Sequence, residues 1–395
     1  MKRFILVTTV SVFLTGCWSN QELNNTAIVH GVGLAKSDDS AEKLRVSFEI
    51  VKPGGGQENN EETTSVGNGE HIVLEETTET LLEGARELIK FTKRRLDFGH
   101  TEAWMIGEEL AQENFIRLLD IIRRDQMLRL SGHMFITKDD PAEILNTPTL
   151  YKHLVSGELT SSLPQTKFIA EYTPITLREF YKLIEGPISN AYIPIIYLDK
   201  NNKQEITAID GTAVIKKDKM VGELDKEETA GLNLLLNNVQ GGSIQVDLDE
   251  NEKVSIEIGK LKTKTTPKLT GDKVDVMVEV KVNGTLGDNM TPNKIDEKLF
   301  KIIEGKISEH IEATIQSTLN KLQQEYKTDI TKIGLETYRK YPQEWKDIQS
   351  KWDEDIFAKA NVSIEAKVNI FHQGLINKNI NRQPKPHNNP YLFLK

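Results

Sequence analysis

The chain has 395 residues, of which 38% are hydrophobic and 28% charged, with one cysteine and a formal net charge of −9. Its length allows two or three compact domains, because a single hydrophobic core seldom grows beyond roughly 250–300 residues. The composition excludes a wholly disordered chain, and the single cysteine excludes both an intramolecular disulfide and a site built from several thiolates. Because the chain is acidic and lacks a dense run of Lys and Arg, we expect no nucleic-acid partner.

The N-terminus has the pattern of a secretory signal. Lys2 and Arg3 precede an apolar run over residues 4–14. This run is too short to span a bilayer, since a transmembrane helix needs about 20 apolar residues. It ends in Leu14-Thr15-Gly16-Cys17, which resembles the bacterial lipobox, where cleavage falls just before a cysteine. The resemblance implies that residues 1–16 are a signal peptide and that Cys17 becomes the first mature residue, carrying an S-diacylglycerol and an N-acyl chain.

A lipid on Cys17 would anchor the chain without a membrane-spanning segment. Acyl chains contribute about 0.8 kcal/mol per buried methylene, so more than one long chain makes a stable anchor. The most apolar later stretch, residues 191–198, is short and contains Pro194, so we expect no transmembrane helix. We therefore expect a body held by lipid outside the cytoplasm. Because this body is acidic, it should stand off an anionic membrane surface.

The first third of the mature chain alternates between predicted strands and helices. Strands are expected at Thr26–Leu34 and Leu44–Val51, on either side of a polar turn at 37–40. The Gly-, Asn- and Glu-rich segment 53–70 predicts a mobile loop. The pattern then indicates strands at 72–74, 100–106 and 130–136 and helices at 78–93 and 109–123. This repeated alternation predicts helices packed on a mixed sheet.

The middle of the chain is less regular. Pro141 is placed for the first turn of a short helix. Residues 147–168 are polar and rich in turn residues, as expected of a boundary or linker. A helix is predicted over 174–185, followed by strands at 193–198 and 207–215.

The last third contains predicted strands followed by long helices. Alternating apolar and polar residues predict half-buried antiparallel strands at 244–248, 254–261 and 274–282. A long helix is predicted from about 292 to 326, because Ile and Leu recur there at spacings of three and four. A second helix at 342–357 and a strand at 362–371 follow, and the Asn- and Pro-rich tail after Gly374 is predicted to be disordered.

These elements predict an α+β protein with several domains, in which mixed and antiparallel sheets pack against helices. The predicted segments are a signal peptide at 1–16, an N-terminal α/β domain at 17–146, a middle subdomain or linker region at 147–205, a C-terminal α+β domain at 206–376 and a disordered tail at 377–395.

The sequence contains no pattern typical of a catalytic or cofactor site. It lacks a phosphate-binding loop, and Gly31-Val32-Gly33 lacks the third glycine of a dinucleotide fingerprint. The eight histidines are scattered, with no pair at metal-ligand spacing on a predicted helix. The acidic run 247–252 fits a solvated hairpin turn better than a calcium loop. Trp345 and Trp352 share a helix face and fit buried packing. We therefore predict no enzymatic activity, no cofactor and no metal ion.

Several short motifs, taken in order along the chain, resemble one family. The first is Cys17-Trp18-Ser19-Asn20-Gln21-Glu22-Leu23. The others are Arg94-Arg95-Leu96-Asp97-Phe98-Gly99-His100-Thr101, Ile106-Gly107-Glu108-Glu109-Leu110-Ala111, Gly211-Thr212-Ala213-Val214-Ile215, and Asp329 and Gly334 followed by Tyr338-Arg339-Lys340-Tyr341-Pro342 and Trp345. The ordered set resembles the Ger(x)C lipoproteins, which are the C subunits of spore nutrient-germinant receptors.

This resemblance implies a three-domain α+β protein held by lipid on the outer face of the spore inner membrane. There it would act with integral membrane A- and B-type receptor subunits in nutrient sensing, without enzymatic activity. Two other hypotheses stay open. One is an extracytoplasmic small-molecule-binding lipoprotein, which needs a cleft with convergent polar groups, so direct small-molecule binding is an open alternative. The other is a cell-envelope hydrolase, for which the sequence nominates no residue.

Overall fold

The computed structural model describes residues 25–371, apart from 38–42, 52–70, 114, 125–127, 201–204, 250–251 and 290–295. Cys17, the predicted turn beyond Ser37, the predicted loop at 53–70 and the tail after Gly374 lie outside the described residues. Within the described residues the chain is a mixture of strands and helices, which confirms the predicted α+β class.

The described chain divides into two compact units, called here unit 1 and unit 2. Unit 1 contains the described residues up to Pro164 together with Thr173–Glu223, and unit 2 contains Gln165–Tyr172 together with the described residues from Leu224. The short segment Gln165–Tyr172 therefore belongs with the C-terminal part of the chain, although unit 1 precedes and follows it. The boundaries predicted after residues 146, 205 and 376 stay predictions.

Unit 1 is built on one mixed sheet. Its strands are β1 (Thr26–Lys36), β2 (Leu44–Val51), β3 (His71–Thr78), β4 (Arg95–Asp97), β5 (Ala103–Gly107), β6 (His133–Thr137), β7 (Asn190–Asp199), β8 (Ile206–Lys216) and β9 (Lys219–Leu224). Among the described residues they form a nine-stranded sheet in the order β3-β2-β1-β5-β6-β7-β8-β9, with β4 beside the start of β1. Strands β1, β5, β6 and β7 are parallel, while β2, β3 and β8 run antiparallel to their neighbours.

Several helices begin where the sequence supplies capping residues. In chain order the helices are α1 (Leu81–Glu87), α2 (Ile89–Thr92), α3 (Glu108–Ala111), α4 (Ile116–Arg124), α5 (Pro141–Asn146), α6 (Val155–Ser162), α7 (Thr166–Ile169), α8 (Leu177–Ile184), α9 (Lys226–Leu236), α10 (Glu297–Asn320), α11 (Ile333–Lys340) and α12 (Trp345–Ile348). The Asp140 carboxylate accepts a hydrogen bond from Ala142 N at 2.8 Å, and Pro141 is the first residue of α5, which confirms the predicted short helix. Thr176 and Glu179 form a capping box at the start of α8.

The core of unit 1 is formed by its central strands and the helices packed on them. Its largest fully buried side chains include Phe48, Trp104, Phe115 and Phe180. The Phe48 ring makes an edge-to-face contact with Phe98, with centroids 5.3 Å apart. Burial of each such ring contributes roughly 1.5–3 kcal/mol, so these aromatics carry much of the stability of the unit.

Two glycines of β1 let α5 approach the sheet closely. A Cβ atom on Gly33 would lie 2.1 Å from Ser47 Oγ and 2.7 Å from Pro141 Cβ. A Cβ atom on Gly31 would lie 2.6 Å from Leu145 Cδ2. Protein interiors are close-packed, so a side chain at either position would push α5 away. The pair that resembles an incomplete dinucleotide fingerprint therefore serves helix packing.

Unit 2 contains a second sheet that packs against the long helix α10. Its strands are β10 (Ser243–Asp249), β11 (Glu252–Thr270), β12 (Lys273–Asn289) and β13 (Asn361–Phe371), in the order β10-β11-β12-β13. The first three strands are antiparallel, and β13 is parallel to β12. The predicted long helix is confirmed as α10, which continues as a π-helical turn over Lys321–Glu325. Its buried stripe contains the residues that the spacing predicts, namely Ile303, Ile307, Ile311, Ile315 and Leu319.

Helix α9 has no counterpart in the sequence prediction. From Thr229 to Leu236 all but one of its residues are buried, so the helix lacks the polar face that an amphipathic pattern requires. Gly231 lies against α10, where a Cβ atom would be only 2.1 Å from Thr318 Oγ1. Packing against α10, together with the capping box of Asp225 and Glu228, specifies this helix, and periodicity does not.

Other predicted helices differ from the observed ones in extent. The predicted helix at 78–93 is divided at Leu88 into α1 and α2, and the predicted helix at 342–357 consists of α12 followed by short 3₁₀ and π turns that end at Lys359. Helix α11 is absent from the prediction. Between 147 and 168, where the sequence predicts a linker or boundary, the chain forms α6, because a side chain distant in sequence satisfies its first turn.

Candidate functional site

Cys17, the residue for which the sequence predicts a chemical modification, lies outside the described residues, so its lipidation stays a prediction. The described chain begins at Asn25 and enters β1 at Thr26, the ninth residue after Cys17. Within the described ranges, no helix combines the length and the apolar composition needed to cross a membrane.

Unit 1 has a cleft at the carboxyl ends of its parallel strands β1, β5 and β6. In open sheets of this kind, ligands bind outside the carboxyl ends of the strands, so this cleft is the first candidate for a binding site. Its volume is about 250 Å³. The lining residues are Ala35, Lys36, Arg45, Gly107, Glu108, Glu109, Leu110, Thr137, Lys138, Asp139, Asp140 and Pro141.

Charged side chains at this cleft contact one another or the backbone. The ion pairs are Arg45–Asp140, Lys36–Glu113 and Lys138–Glu223. Asp140 also caps α5, and Asp139 Oδ2 accepts a hydrogen bond from Leu198 N at 2.8 Å. These contacts tie β2, β7 and α5 together at one end of the sheet, which gives Arg45, Asp139 and Asp140 a structural role.

Glu49 on β2 is a fully buried carboxylate that holds the start of α6. Its Oε1 accepts a hydrogen bond from Val155 N at 2.7 Å, and its Oε2 accepts from Ser156 N at 3.2 Å and from the Ser156 hydroxyl. The first N–H groups of a helix have no partner within the helix and lie at the positive end of its dipole. A carboxylate from another strand therefore supplies the cap that Leu154, directly before α6, cannot provide.

Burial raises the pKa of Glu49, while the hydrogen bonds from Ser156 and Val155 act in the opposite direction. His71 Nε2 lies 3.9 Å from Glu49 Oε1, and its Nδ1 lies 3.1 Å from the carbonyl oxygen of His153. Because the Glu49 side chain is 0% exposed, no substrate can reach it in this structure. The geometry therefore fits a structural contact rather than an acid–base catalyst.

Two histidines of unit 1 lie close together without forming a metal site. His30 Nδ1 is 3.7 Å from Glu102 Oε1, and the rings of His30 and His100 are 6.2 Å apart. Burial lowers the pKa of both His30 and His133, which favours their neutral forms. In the part of the chain that the structure describes, no group of three or more His, Cys, Asp or Glu side chains is placed to hold a metal ion.

A second buried carboxylate, Asp329 in unit 2, organises the motif that runs from Asp329 to Trp345. Its Oδ2 accepts hydrogen bonds from Gly334 N at 2.8 Å and from Trp352 Nε1 at 2.9 Å. Its Oδ1 accepts from Thr331 N at 2.8 Å and from the Thr331 hydroxyl at 2.7 Å. Since Gly334 N belongs to the first turn of α11, Asp329 both caps this helix and fixes the indole of Trp352.

The environment of Asp329 favours its neutral form. Burial raises the pKa of Asp329 to about 6, and the nearby Asp353 carboxylate adds to the rise, while hydrogen bonds from Thr331, Trp352 and Gly334 oppose it. The residue is only 1% exposed. Like Glu49, it is inaccessible and used in packing.

Trp345 and Trp352 are buried, as the sequence predicts. Each residue is 2% exposed, and their ring centroids are 4.9 Å apart. The Tyr338 ring makes an edge-to-face contact with Trp345 at 6.0 Å. The aromatic residues of the motif thus join α11 to α12 and to the turns that follow.

Unit 2 has an apolar groove between α7, the start of β10 and α10. Its volume is about 180 Å³, and Phe168 and Ile169 of α7 line it with 58% and 50% of their surface exposed. Leu234, Ile258 and Ile311 contribute to its lining. The groove offers an apolar packing surface rather than the convergent polar groups of a catalytic site.

Sequence reasoning missed Glu49, although a signal was present. In β2, the side chains of Val46, Phe48 and Ile50 alternate with those of Ser47 and Glu49, and all five residues are buried. A strand buried on both faces rarely contains a charged residue unless that residue is paired. A lone acid in such a strand therefore indicates a partner elsewhere, but its identity requires the fold.

Two family models match the chain. The one described as "Spore germination protein N-terminal domain" matches residues 19–198. The one described as "Spore germination B3/ GerAC like, C-terminal" matches residues 210–374. Together they cover nearly all of the described chain.

Individual proteins are similar over almost their whole length. Spore germination protein KC of Bacillus subtilis (strain 168) is 26% identical over 402 residues, covering 95% of this chain and 96% of that protein. Spore germination protein A3 of the same organism is 26% identical over 399 residues, covering 96% and 99%. The crystal structure of the GerBC protein matches with a TM-score of 0.55 at 20% identity, covering 86% of this chain and 97% of that chain. At this identity the structural likeness concerns the fold.

Proposed function

Because the chain belongs to the Ger(x)C family of spore germination proteins, we propose that it is the lipid-anchored C subunit of a spore nutrient-germinant receptor. In this role it acts with integral membrane A- and B-type subunits on the extracytoplasmic face of the spore inner membrane. The observation that carries the proposal is the pair of family matches, which together run from residue 19 to residue 374.

The anchor is proposed at Cys17. This residue is the only cysteine of the chain, it ends a lipobox-like segment, and β1 begins only nine residues later. A lipid would confine the protein to the plane of its membrane partners and so raise their effective concentration. Interfaces of modest size would then be sufficient for assembly.

A non-enzymatic role is supported by the use of Glu49 and Asp329, the two carboxylates that are buried among the described residues. Carboxyl groups with a raised pKa are the first candidates for acid–base catalysis. In this protein burial raises the pKa of both Glu49 and Asp329, yet each carboxylate caps a helix and is closed to solvent. Surfaces that contact partner subunits, rather than a reaction centre, would then carry the function.

A small-molecule-binding lipoprotein is the second candidate, and the cleft at the carboxyl ends of β1, β5 and β6 favours it. At about 250 Å³ the cleft could accept a small nutrient. Titration calorimetry of the full chain with amino acids and sugars tests this candidate. Saturable binding that is lost on Arg45→Gln would support it, because Arg45 lines the cleft.

The receptor proposal is tested by germination of spores that lack this gene, followed as loss of refractility with a panel of single nutrients. We expect failure with particular nutrients and a normal response to a trigger that bypasses nutrient receptors, which serves as the control. Normal germination with every nutrient, in spores that also lack any related receptor, would contradict the proposal.

The anchor is tested by Cys17→Ala in the same spores, with Ser19→Ala as a matched control that leaves the modified position intact. We expect Cys17→Ala protein to be lost from the membrane fraction and nutrient germination to fall, whereas Ser19→Ala protein is retained. Full membrane retention of the Cys17→Ala protein would overturn the anchor.

A further inference from the structure

One end of unit 1 carries a basic segment beside the point where β1 begins. Strand β4 pairs in parallel with the first residues of β1, so that Arg95 lies opposite Thr26. Arg95 ends the segment Ile89-Lys90-Phe91-Thr92-Lys93-Arg94-Arg95, called here the basic segment. It contains four basic and no acidic side chains.

The basic segment exposes apolar side chains between its charges. Phe91 is 62% exposed and Ile89 is 39% exposed, and Lys90 and Lys93 are also on the surface. Lys90 contacts Glu87, but an exposed ion pair of this kind contributes little and does not hold the lysine in place. Exposed aromatic and aliphatic side chains among Lys and Arg are typical of surfaces that lie in a membrane interface.

The body of unit 1 holds the basic segment in position. Leu88 and Leu96, which flank it, are 1% and 8% exposed and belong to the hydrophobic core. Lys93 ends α2 with a left-handed backbone, at a φ of 55°, which turns the chain into β4. Phe91 is therefore presented outward from a fixed turn, with buried residues on both sides.

The distance to Cys17 limits how far this end of unit 1 can lie from a lipid anchor. Thr26 is the ninth residue after Cys17, and a chain of this length spans at most about 30 Å even when fully extended. Because Thr26 is beside Arg95, the basic segment stays within that reach of the bilayer whenever Cys17 is lipidated.

Charge is distributed unevenly along unit 1. The net charge of the chain is negative, which by itself predicts that the body stands off an anionic membrane. Charges more than about 8–10 Å apart are largely screened at physiological ionic strength, so the local sign decides contact. From Arg86 to Asp97 there are five basic and two acidic side chains, whereas the other end of β1 adjoins a cleft lined by three basic and four acidic side chains.

We propose that the basic segment is a membrane-contact surface that rests on anionic phospholipid headgroups beside the lipid anchor. Phe91 and Ile89 enter the boundary between headgroups and acyl chains, while Lys90 and Lys93 pair with lipid phosphates. This inference rests on the proposed anchor at Cys17. It assigns the end of unit 1 that faces the bilayer and leaves the cleft end directed away from it.

The contact is tested on the lipidated full chain, reconstituted in vesicles of phosphatidylcholine with or without phosphatidylglycerol. Phe91→Cys introduces a thiol for an environment-sensitive fluorophore, and Cys17 does not compete because its sulfur is a thioether in the lipidated protein. Glu109→Cys, exposed at the other end of the sheet, is the matched control. We expect a blue-shifted emission, quenched by doxyl-labelled lipid, at position 91 only, and only with phosphatidylglycerol.

Charge removal gives a second, milder test on the same labelled protein. Lys93→Gln should weaken the contact equilibrium roughly fivefold, and Lys90→Gln with Lys93→Gln more strongly, because each basic residue near an anionic surface adds a similar increment. Lys43→Gln, which is exposed near the far end of β1, should leave the signal unchanged.

The outcomes separate the two proposals. Loss of the chain from the vesicle fraction would overturn the anchor and, with it, the contact that depends on it. Retention of the chain with a water-like emission at position 91 would overturn the membrane-contact surface alone. An emission shift that depends neither on phosphatidylglycerol nor on the charge of Lys93 would also overturn the membrane-contact surface, since the contact would then not involve lipid charge.

Discussion

Units 1 and 2 each contain a buried carboxylate at the start of a helix, and the two differ in how far their partners lie along the chain. Asp329 binds Thr331, Gly334 and Trp352, the most distant of which is 23 residues away. Glu49 binds Val155 and Ser156, which are 106 and 107 residues away. Asp329 therefore organises a local segment, whereas Glu49 joins a strand to a helix that the sequence places elsewhere.

A buried carboxylate that accepts hydrogen bonds from the first turn of a helix serves two different purposes in this protein. A local carboxylate shapes a segment that is already continuous, so its partners can be recognised together as a sequence motif. A long-range carboxylate stabilises a tertiary arrangement, and each of its partners is unremarkable in its own stretch of sequence. If the two carboxylates differ in this way, substitution of Asp329 should lower the overall free energy of unfolding, whereas substitution of Glu49 should act mainly at the start of α6.

The largest effect is expected for Asp329→Ala. The substitution leaves the buried N–H groups of Gly334, Thr331 and Trp352 without an acceptor, which should lower the free energy of unfolding by about 3–5 kcal/mol. Denaturant unfolding followed by tryptophan fluorescence measures this loss. The exposed Asp355, changed to Ala as a control, should alter stability by less than about 0.5 kcal/mol. Equal effects of the two substitutions would contradict the role of Asp329.

The pH dependence of unit 2 should follow Asp329. Its pKa rises from 3.8 to about 6 on folding, so the folded state binds this proton more tightly than the unfolded state. Its contribution to stability is therefore fully present below 3.8 and is lost as the pH rises through about 6. At 1.36 kcal/mol per pKa unit, the change is up to about 3 kcal/mol.

Asp329→Asn removes this titration while keeping the shape of the side chain. The difference in unfolding free energy between the native chain and this variant should therefore change across the range from below 3.8 to above 6. If the two stability curves stay parallel over this range, Asp329 does not titrate as the structure indicates.

Glu49→Gln should have a smaller and more local effect. It removes the negative charge and one acceptor oxygen from the start of α6, which should cost about 1–3 kcal/mol. The loss should be visible as faster hydrogen exchange at the Val155 and Ser156 amides, measured by mass spectrometry. Glu143→Gln, on the exposed side of α5, is the matched control. A global loss of stability as large as that of Asp329→Ala would remove the distinction between the two carboxylates.

The smallest effects are expected at two glycines. Gly31→Ala places a Cβ atom 3.0 Å from Glu49 Oε2 and 2.6 Å from Leu145 Cδ2, so unfolding should become easier by about 1–2 kcal/mol. Gly305→Ala in α10 places a Cβ atom where no atom lies within 4 Å. It should stabilise the helix by about 0.5–1 kcal/mol. Thermal unfolding of both variants checks these opposite signs, and destabilisation by Gly305→Ala would show that its site is not open.

Periodicity predicted the elements whose one face is buried and whose other face is solvated. The stripe of α10 and the strands β10 to β12 belong to this class, and their residue patterns follow directly from the geometry of helix and strand. The same reasoning failed for α9, which is buried on most sides, and for α6, whose first turn depends on Glu49. For α6 a contact distant in sequence replaces the local pattern, whereas α9 begins with a local capping box of Asp225 and Glu228 that periodicity does not detect.

The motif from Asp329 to Trp345 can be recognised in the sequence because its residues are neighbours both along the chain and in the structure. Asp329, Gly334, Tyr338 and Trp345 lie close in sequence and in space, so the structural unit they build is visible along the chain. The basic segment and Thr26 are far apart in sequence, and only the pairing of β4 with β1 brings them together. The sequence therefore contains each part of the proposed membrane contact but not their juxtaposition.

The sequence by itself determined the family, the α+β class, the lipid-anchor prediction at Cys17 and most of the regular elements. These properties depend on residues that are neighbours along the chain, or on patterns that repeat within one element. The tertiary structure decided which carboxylate caps which helix, why Gly31 and Gly33 are needed, and which end of unit 1 carries positive charge beside the first strand. Those properties depend on distances between residues separated by tens to over a hundred positions, which sheet order and helix packing fix and which no local pattern encodes.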